Sequence, residues 1–362
     1  MAFVSFTAAI LALLASILCV MLARRGLGGE TQQESGRRFH SRGVSRIGGL
    51  AIFLGFAAAL LVAVYRSALS SQVAVLTLVV ALPVFLTGLA EDFTHRVGAA
   101  WRLAAAAVSA ALAMWLLKSV PTRLDLPLID GLLRSMPILA FAFALLAMSG
   151  VAHAFNLIDG YNGLCGVVSL MILGAFAYVG YKVGDLYVMA CAFSLAGAIV
   201  GFLVLNYPSG FIMAGDGGAY LIGFLIALLA VALVNQNPQV SAWFPLTAVI
   251  YPIWETLFSA YRRRVLKRKS AATADALHFH HLIYRRITRW AVPVHERGYT
   301  VKRNSMTAPY LWAVAGFSIA PAALFWNNTS ALQVVCALFA VAYVWAYFWL
   351  LRGRKVRRMP TS

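Results

Sequence analysis

Four stretches of the chain hold residues whose types and spacing could do chemistry. In 153–166, H-A-F-N-L-I-D-G-Y-N-G-L-C-G, the polar residues Asn156, Asp159 and Asn162 follow at three-residue intervals. On a helix that spacing gathers side chains on one face, and Gly160 and Gly163 let the backbone turn close to a ligand. With no basic residue beside them, these groups suit a cation or a hydrogen-bonding substrate, or else they cap a helix end. Glu91 and Asp92 are adjacent carboxylates, which repel unless a cation or a shared proton relieves them. Magnesium bound with phosphate oxygens would do so; an exposed turn paired with Arg96 or Arg102 is the plainer alternative. In Met213-Ala214-Gly215-Asp216-Gly217-Gly218, a helix start with bare N–H groups favours an anion, and Asp216 either holds a metal before it or serves as the N-cap. The fourth stretch, His278-Phe279-His280-His281, reads as the opening of an amphipathic helix. His278, His281, Arg285 and Arg289 share a basic face suited to pyrophosphate, and Phe279, Ile283, Ile287 and Trp290 form an apolar face for the headgroup region.

Weaker signals accompany these. Arg46 followed by Gly48 and Gly49 sets a cation at a loop end, near a bound phosphate or as ordinary loop charge. Glu255 is an acid inside an apolar run and reads as structural or as pocket wall. His95 and His153 receive no role. Zinc is set aside at the histidines, because no Asp follows closely and a second ligand set is missing.

The elements that must position these residues are membrane helices. Of 362 residues, 62% are hydrophobic and 12% charged, against about 25% charged in soluble domains. Apolar runs at about 3–23, 47–65, 72–90, 99–117, 136–154, 164–181, 186–206, 217–235, 241–261, 308–326 and 331–351 are each long enough to cross a bilayer. The expected fold is all-α, a polytopic membrane protein of about eleven helices. It forms a single integral-membrane domain over 1–362, with the His-x-His-His motif in a cytoplasmic loop, 262–307. The first run lacks a basic n-region and reads as an uncleaved helix. The net charge of +18 reflects orientation in the membrane and not nucleic acid. Only Arg66, Lys118, Arg123, Arg134 and Lys182 fall on one side, and the rest of the 30 Lys and Arg fall on the other. That basic side is cytoplasmic by the positive-inside rule, with the N-terminus periplasmic and the C-terminus cytoplasmic. All four motifs then lie on the cytoplasmic side. The four cysteines show no disulfide or zinc spacing and read as small core residues.

In this order, R-x-G-G at Arg46, the acid pair Glu91-Asp92, N-x-x-D-G-x-N-G-L at Asn156, G-D-x-G at Asp216 and H-x-H-H at His278 resemble the polyprenyl-phosphate N-acetylhexosamine-1-phosphate transferases. That family includes undecaprenyl-phosphate GlcNAc-1-phosphate transferases, phospho-MurNAc-pentapeptide translocases and the eukaryotic dolichol-phosphate enzyme. The resemblance runs from about residue 37 to 289. Glu91 departs from the family's usual Asp, and Asn162 from the usual bacterial Asp, as in eukaryotic members. The spaced histidines look more like the GlcNAc-1-phosphate branch.

The resemblance implies transfer of N-acetylhexosamine 1-phosphate from a UDP-sugar, UDP-GlcNAc or a C4- or C6-modified relative, to undecaprenyl phosphate. UMP is released and a surface polysaccharide such as O-antigen is begun, at the cytoplasmic face of a bacterial inner membrane. A phospho-MurNAc-pentapeptide transferase is the alternative within the family, and a transporter of lipid-linked substrates the alternative outside it. The implied roles are catalysis by Asp92, supported by Glu91, and by Asp159. Asp159 and Asn162 orient the nucleotide. Magnesium, or manganese in its stead, sits on Asp216 and Asn156, and Arg46, His278, His280, His281 and Arg285 offset diphosphate charge. The partners implied are the two substrates and membrane lipid, with a homodimer allowed for.

Overall fold

The computed structural model describes residues 1–25, 44–121, 123–266, 278–288 and 299–352. Arg289 and Trp290, expected on the histidine helix, lie outside the described residues, as do most of the first basic loop and the basic tail. The described chain is helical, without strands. In order the helices are α1 (Ala2–Arg24), α2 (Gly48–Tyr65), α3 (Ser71–Thr94), α4 (Ala99–Leu116), α5 (Pro127–Ser135), α6 (Pro137–Ile158), α7 (Leu164–Val183), α8 (Leu186–Asn206), α9 (Gly215–Gln236), α10 (Trp243–Ala248), α11 (Ile250–Tyr261), α12 (Phe279–Ile283), α13 (Tyr299–Leu324) and α14 (Thr329–Arg352). Single π-helical turns follow α11 and α12.

Ten of these helices are long and apolar enough to cross a membrane. The eleventh expected span, 241–261, is broken into α10 and α11 around Val249. Pro252 accounts for the break, since a proline ring clashes with the carbonyl four residues back and cannot donate to it. The last long loop is also shorter than expected. Helix α13 begins at Tyr299 and not near 308, so Asn304 and Ser305 stand on a helix.

Helix α9 is buried on nearly every side and packs against α3, α6 and α2. Between membrane helices the lipid offers little hydrophobic drive, so close backbone approach at small residues does much of the work. The first turn of α9 meets its neighbours glycine to glycine. A Cβ at Gly49 of α2 would collide with the Gly218 backbone, and one at Gly88 of α3 would lie 2.7 Å from the Gly217 Cα. The glycines after Arg46 therefore serve helix packing. Backbone pairing completes the junction: the Met213 N–H donates to the Ser45 carbonyl (2.9 Å), and the Gly48 N–H to the Met213 carbonyl (3.0 Å).

Candidate active site

The ends of α3, α6 and α9 and the α12 turn meet at one end of the bundle, and several of the predicted polar groups meet there too. The centre is Asp216, in the first turn of α9. Its Oδ1 accepts from the Asn156 side-chain amide of α6. Its Oδ2 is ion-paired with Arg102 of α4 and lies 3.7 Å from Arg46. Asp216 is not the N-cap; the cap is Ala214, without a side-chain bond. The capping comes from another helix. Asp92 of α3, fully buried, accepts the Asp216 N–H on Oδ1 and the Gly217 N–H on Oδ2, both at 2.8 Å. The α9 start is thus not bare: the carboxyl oxygens of Asp92 already sit on it. Gly215 makes this possible. Its φ is +69°, and a Cβ there would strike the Arg46 carbonyl and the Asp92 carboxyl.

Glu91 turns the other way. Its Oε2 accepts the Val97 N–H at 2.6 Å, closing the turn after α3. The two adjacent carboxylates therefore serve different stretches of backbone.

Asp159 ends α6. Part of the residue reaches the surface, but its carboxyl lies among protein atoms, and this loss of water raises its pKa from 3.8 to about 7. Asp216 pushes the same way, while Arg46 and the Gly215 N–H pull down. A carboxyl so placed changes charge near neutrality.

The structure places Asn162 inside the protein. It is fully buried, its amide donates to Ser305 Oγ (3.2 Å) and the Pro208 carbonyl (3.4 Å), and its backbone N–H donates to Asn304 (2.8 Å). It ties the 159–163 turn to the loop after α8 and to the start of α13. Asn206 performs a similar service, accepting the Gly163 N–H (2.7 Å) and donating to the Ile212 carbonyl (2.7 Å).

The histidine motif docks on that same turn. Tyr161 Oη bonds His281 Nδ1 at 2.8 Å, and a Cβ on Gly160 would lie 3.9 Å from His280 Nε2. His280, left off the expected basic face, is the most buried of the three and faces the turn. Burial holds its pKa well below the ordinary value, and the neighbouring His281 and His278 act in the same sense. Phe279, Leu282 and Ile283 pack inside the protein and not on the headgroup layer. The π-helical turn from Tyr284 shifts the register, leaving Arg285 exposed.

Sequence reasoning missed Arg102 as a member of the site. The available signal was a charged residue inside the apolar run of α4, a position that lipid makes costly without a partner. His153, given no role, bonds Tyr220 Oη at 2.8 Å just below Asp216.

Residues 73–234 match glycosyl transferase family 4. The chain is 25% identical over 257 residues to a probable undecaprenyl-phosphate N-acetylglucosaminyl 1-phosphate transferase of Bacillus subtilis, covering 70% of this chain and 69% of that protein. It is 28% identical over 254 residues to an undecaprenyl-phosphate alpha-N-acetylglucosaminyl 1-phosphate transferase of Thermotoga maritima, covering 70% and 72%. A phospho-N-acetylmuramoyl-pentapeptide-transferase of Clostridium beijerinckii is 34% identical over 126 residues, covering 34% and 39%. The resemblance read from the five motifs is borne out by these likenesses. The family segment holds the acid pair, Asn156 to Asn162 and Asp216, and leaves Arg46 and the histidines outside it.

Proposed function

We propose that the protein transfers N-acetylhexosamine 1-phosphate from a UDP-sugar to undecaprenyl phosphate, and that it does so at the cytoplasmic face of a bacterial inner membrane. UDP-GlcNAc or a C4- or C6-modified relative is the donor, and the lipid product begins a surface polysaccharide such as O-antigen. An oxygen of the lipid phosphate attacks the sugar-bearing phosphorus, the bond from that phosphorus to the bridging oxygen breaks, and UMP leaves. The observation that carries this reading is Asp216, held by Arg102, Arg46 and Asn156 where the membrane helices end. Two relatives covering most of this chain carry names for this reaction class.

Phosphoryl transfer needs positioning and charge neutralisation more than a base. A phosphate monoester, with a second pKa near 6, is largely dianionic at neutral pH. Asp92 agrees with that economy. Both its oxygens hold the α9 backbone, so we assign it to positioning Asp216 and not to proton removal. Arg46, Arg102 and Arg285 supply charge for the diphosphate, and the histidines form the wall beside it.

The donor set fits magnesium. Asp216 and Asp159 are hard oxygen ligands near one another, and the Asn156 amide can present its oxygen. Magnesium takes one or two carboxylates together with substrate phosphates, not a cage made wholly of protein; among the described residues no such cage of three or more His, Cys, Asp or Glu occurs. When bound, the ion would draw charge from the diphosphate as UMP departs.

The test is UMP release by the purified protein given undecaprenyl phosphate, magnesium and a panel of UDP-sugars. Release with a UDP-N-acetylhexosamine, lost on chelation, is expected. No UMP from any donor would overturn the reading.

A further inference from the structure

Glu255 is the most enclosed carboxylate among the described residues that the reaction above does not use. It lies on α11, is fully buried, and belongs to no motif that carried the family resemblance. Among the described residues, its hydrogen bonds lead to the histidine motif or lock the carboxylate in place. Oε1 accepts the Phe279 N–H at 3.0 Å and lies 3.2 Å from His278 Nδ1 and 3.8 Å from His280 Nδ1. Oε2 accepts the Tyr343 hydroxyl of α14 at 2.6 Å. Ser259, one turn further along α11, bonds the same His278 Nδ1 at 2.9 Å. The rings of His278 and His280 stack in parallel, 5.1 Å apart, over this one carboxylate.

From this we infer that Glu255 is the positioning residue of the histidine motif, and that Tyr343 fixes Glu255 in turn. The inference rests on the reading that the histidines face the donor diphosphate. Glu255 touches no substrate. It acts on His278 by accepting the Nδ1 proton, which leaves the His278 Nε2 lone pair as the ring's only acceptor. A carboxylate behind a histidine sets the ring's tautomer and direction, as outer-shell carboxylates do at metal sites. The motif needs such an anchor because its own helix, α12, has only five residues and passes into a π-helical turn. So short a helix cannot hold three imidazoles by itself. The Phe279 N–H bond fixes the backbone at the helix start, and the Nδ1 contact fixes the ring. One buried anion thereby orders both levels, and α14, far along the chain, becomes part of the support.

Two measurements test this, and one does not depend on turnover. Diethyl pyrocarbonate labelling of intact protein, read residue by residue by mass spectrometry, should modify His278 and His280 several-fold faster in Glu255→Gln than in wild type, with His95 unchanged as the internal control. Equal rates would overturn the assignment whatever the protein's activity. In the second, kcat/KM for the UDP-sugar should fall about 10- to 100-fold in Glu255→Gln, with KM for the lipid phosphate held. The same substitution in a His278→Ala background should cost little more, because a residue acting through His278 has nothing left to act on. Additive losses would overturn the assignment while leaving the transferase reading intact, whereas a wild type that releases no UMP would remove that reading and leave the labelling result to decide. Should Glu255→Gln fail to fold, Tyr343→Phe removes one anchor and keeps the carboxylate. It should show the same labelling pattern at smaller size, and its absence would count against the assignment.

Discussion

The two ends of the helix bundle hold their carboxylates in different ways. At the far end, Asp125 accepts from Ser241 Oγ (3.1 Å), the Ala242 N–H (2.8 Å) and Thr329 Oγ1 (3.1 Å). Asp130 takes the Leu124 N–H at 2.6 Å, and Asp185 takes the Val188 N–H and the Asn237 amide. Arg123 beside them donates to the carbonyls of Pro238 and Val240. These charges staple loops: besides side-chain partners, Arg123 at 3.5 Å from Asp125 among them, each acid holds a backbone N–H that cannot be given up without unfolding a turn. At the near end, Asp216 is held by the side chains of Arg102, Arg46 and Asn156. Flexible side chains can be exchanged for a ligand at modest cost; a backbone N–H cannot. Asp92 sits at the near end but behaves like the far-end acids, which makes it scaffold for the group that does the exchanging.

The largest effect should come from Asp216→Asn. It keeps the shape and loses the charge that both arginines face, and kcat should fall about 100-fold or more while the protein stays inserted and folded. Wild-type turnover would erase the distinction between the two ends.

Asp159 sharpens it through pH. Its pKa is raised to about 7, so the folded protein keeps a proton that the unfolded chain has released by then. That contribution to stability is complete below the ordinary value of about 3.9 and is lost as pH rises through about 7. Activity should move the other way if the ionised form serves the metal. We expect kcat/KM to climb through about pH 7, and Asp159→Asn to flatten that climb at a rate about tenfold lower.

At the far end the same chemistry should register only as stability. Asp125→Ala leaves three donors without their acceptor and should cost about 1–3 kcal/mol, read as a lower unfolding midpoint in detergent, with kcat and KM unchanged. A change in KM would mean the far end is coupled to the site. The smallest effect belongs to Glu91→Gln. It weakens one bond to the Val97 N–H at a turn near the surface, worth about 1 kcal/mol or less, and a large loss of turnover would return Glu91 to the site.

Much of this could be read from the sequence because lipid makes exceptions conspicuous. Apolar runs gave the helices, and the acids that interrupt their ends gave Asp92, Asp159 and Asp216. What the sequence could not convey was direction. Glu91 and Asp92 differ by one position, about 100° around α3, and so face a turn and a helix start respectively. Asn162 has the spacing of a site residue, yet its amide is consumed by Ser305 and Pro208, a pairing across distant parts of the chain. Arg102 was legible as a charge in an apolar run, but nothing local named Asp216 as its partner. The break at Val249 was written in Pro252, though length and hydropathy alone ran across it.

The dependence of Glu255 on Tyr343 has a consequence for biosynthesis. The acidic half of the site is complete once α9 has been made, since Arg46, Asp92, Arg102, Asn156 and Asp216 all precede its end. The histidine half waits for α12, and its anchor waits for α14, which follows α12 in the chain. A nascent chain halted before α14 would carry a charged but unfinished centre. The order of translation therefore acts as a clock, in which the group of charges around Asp216 is assembled early and the support of the histidine motif is put in place after it.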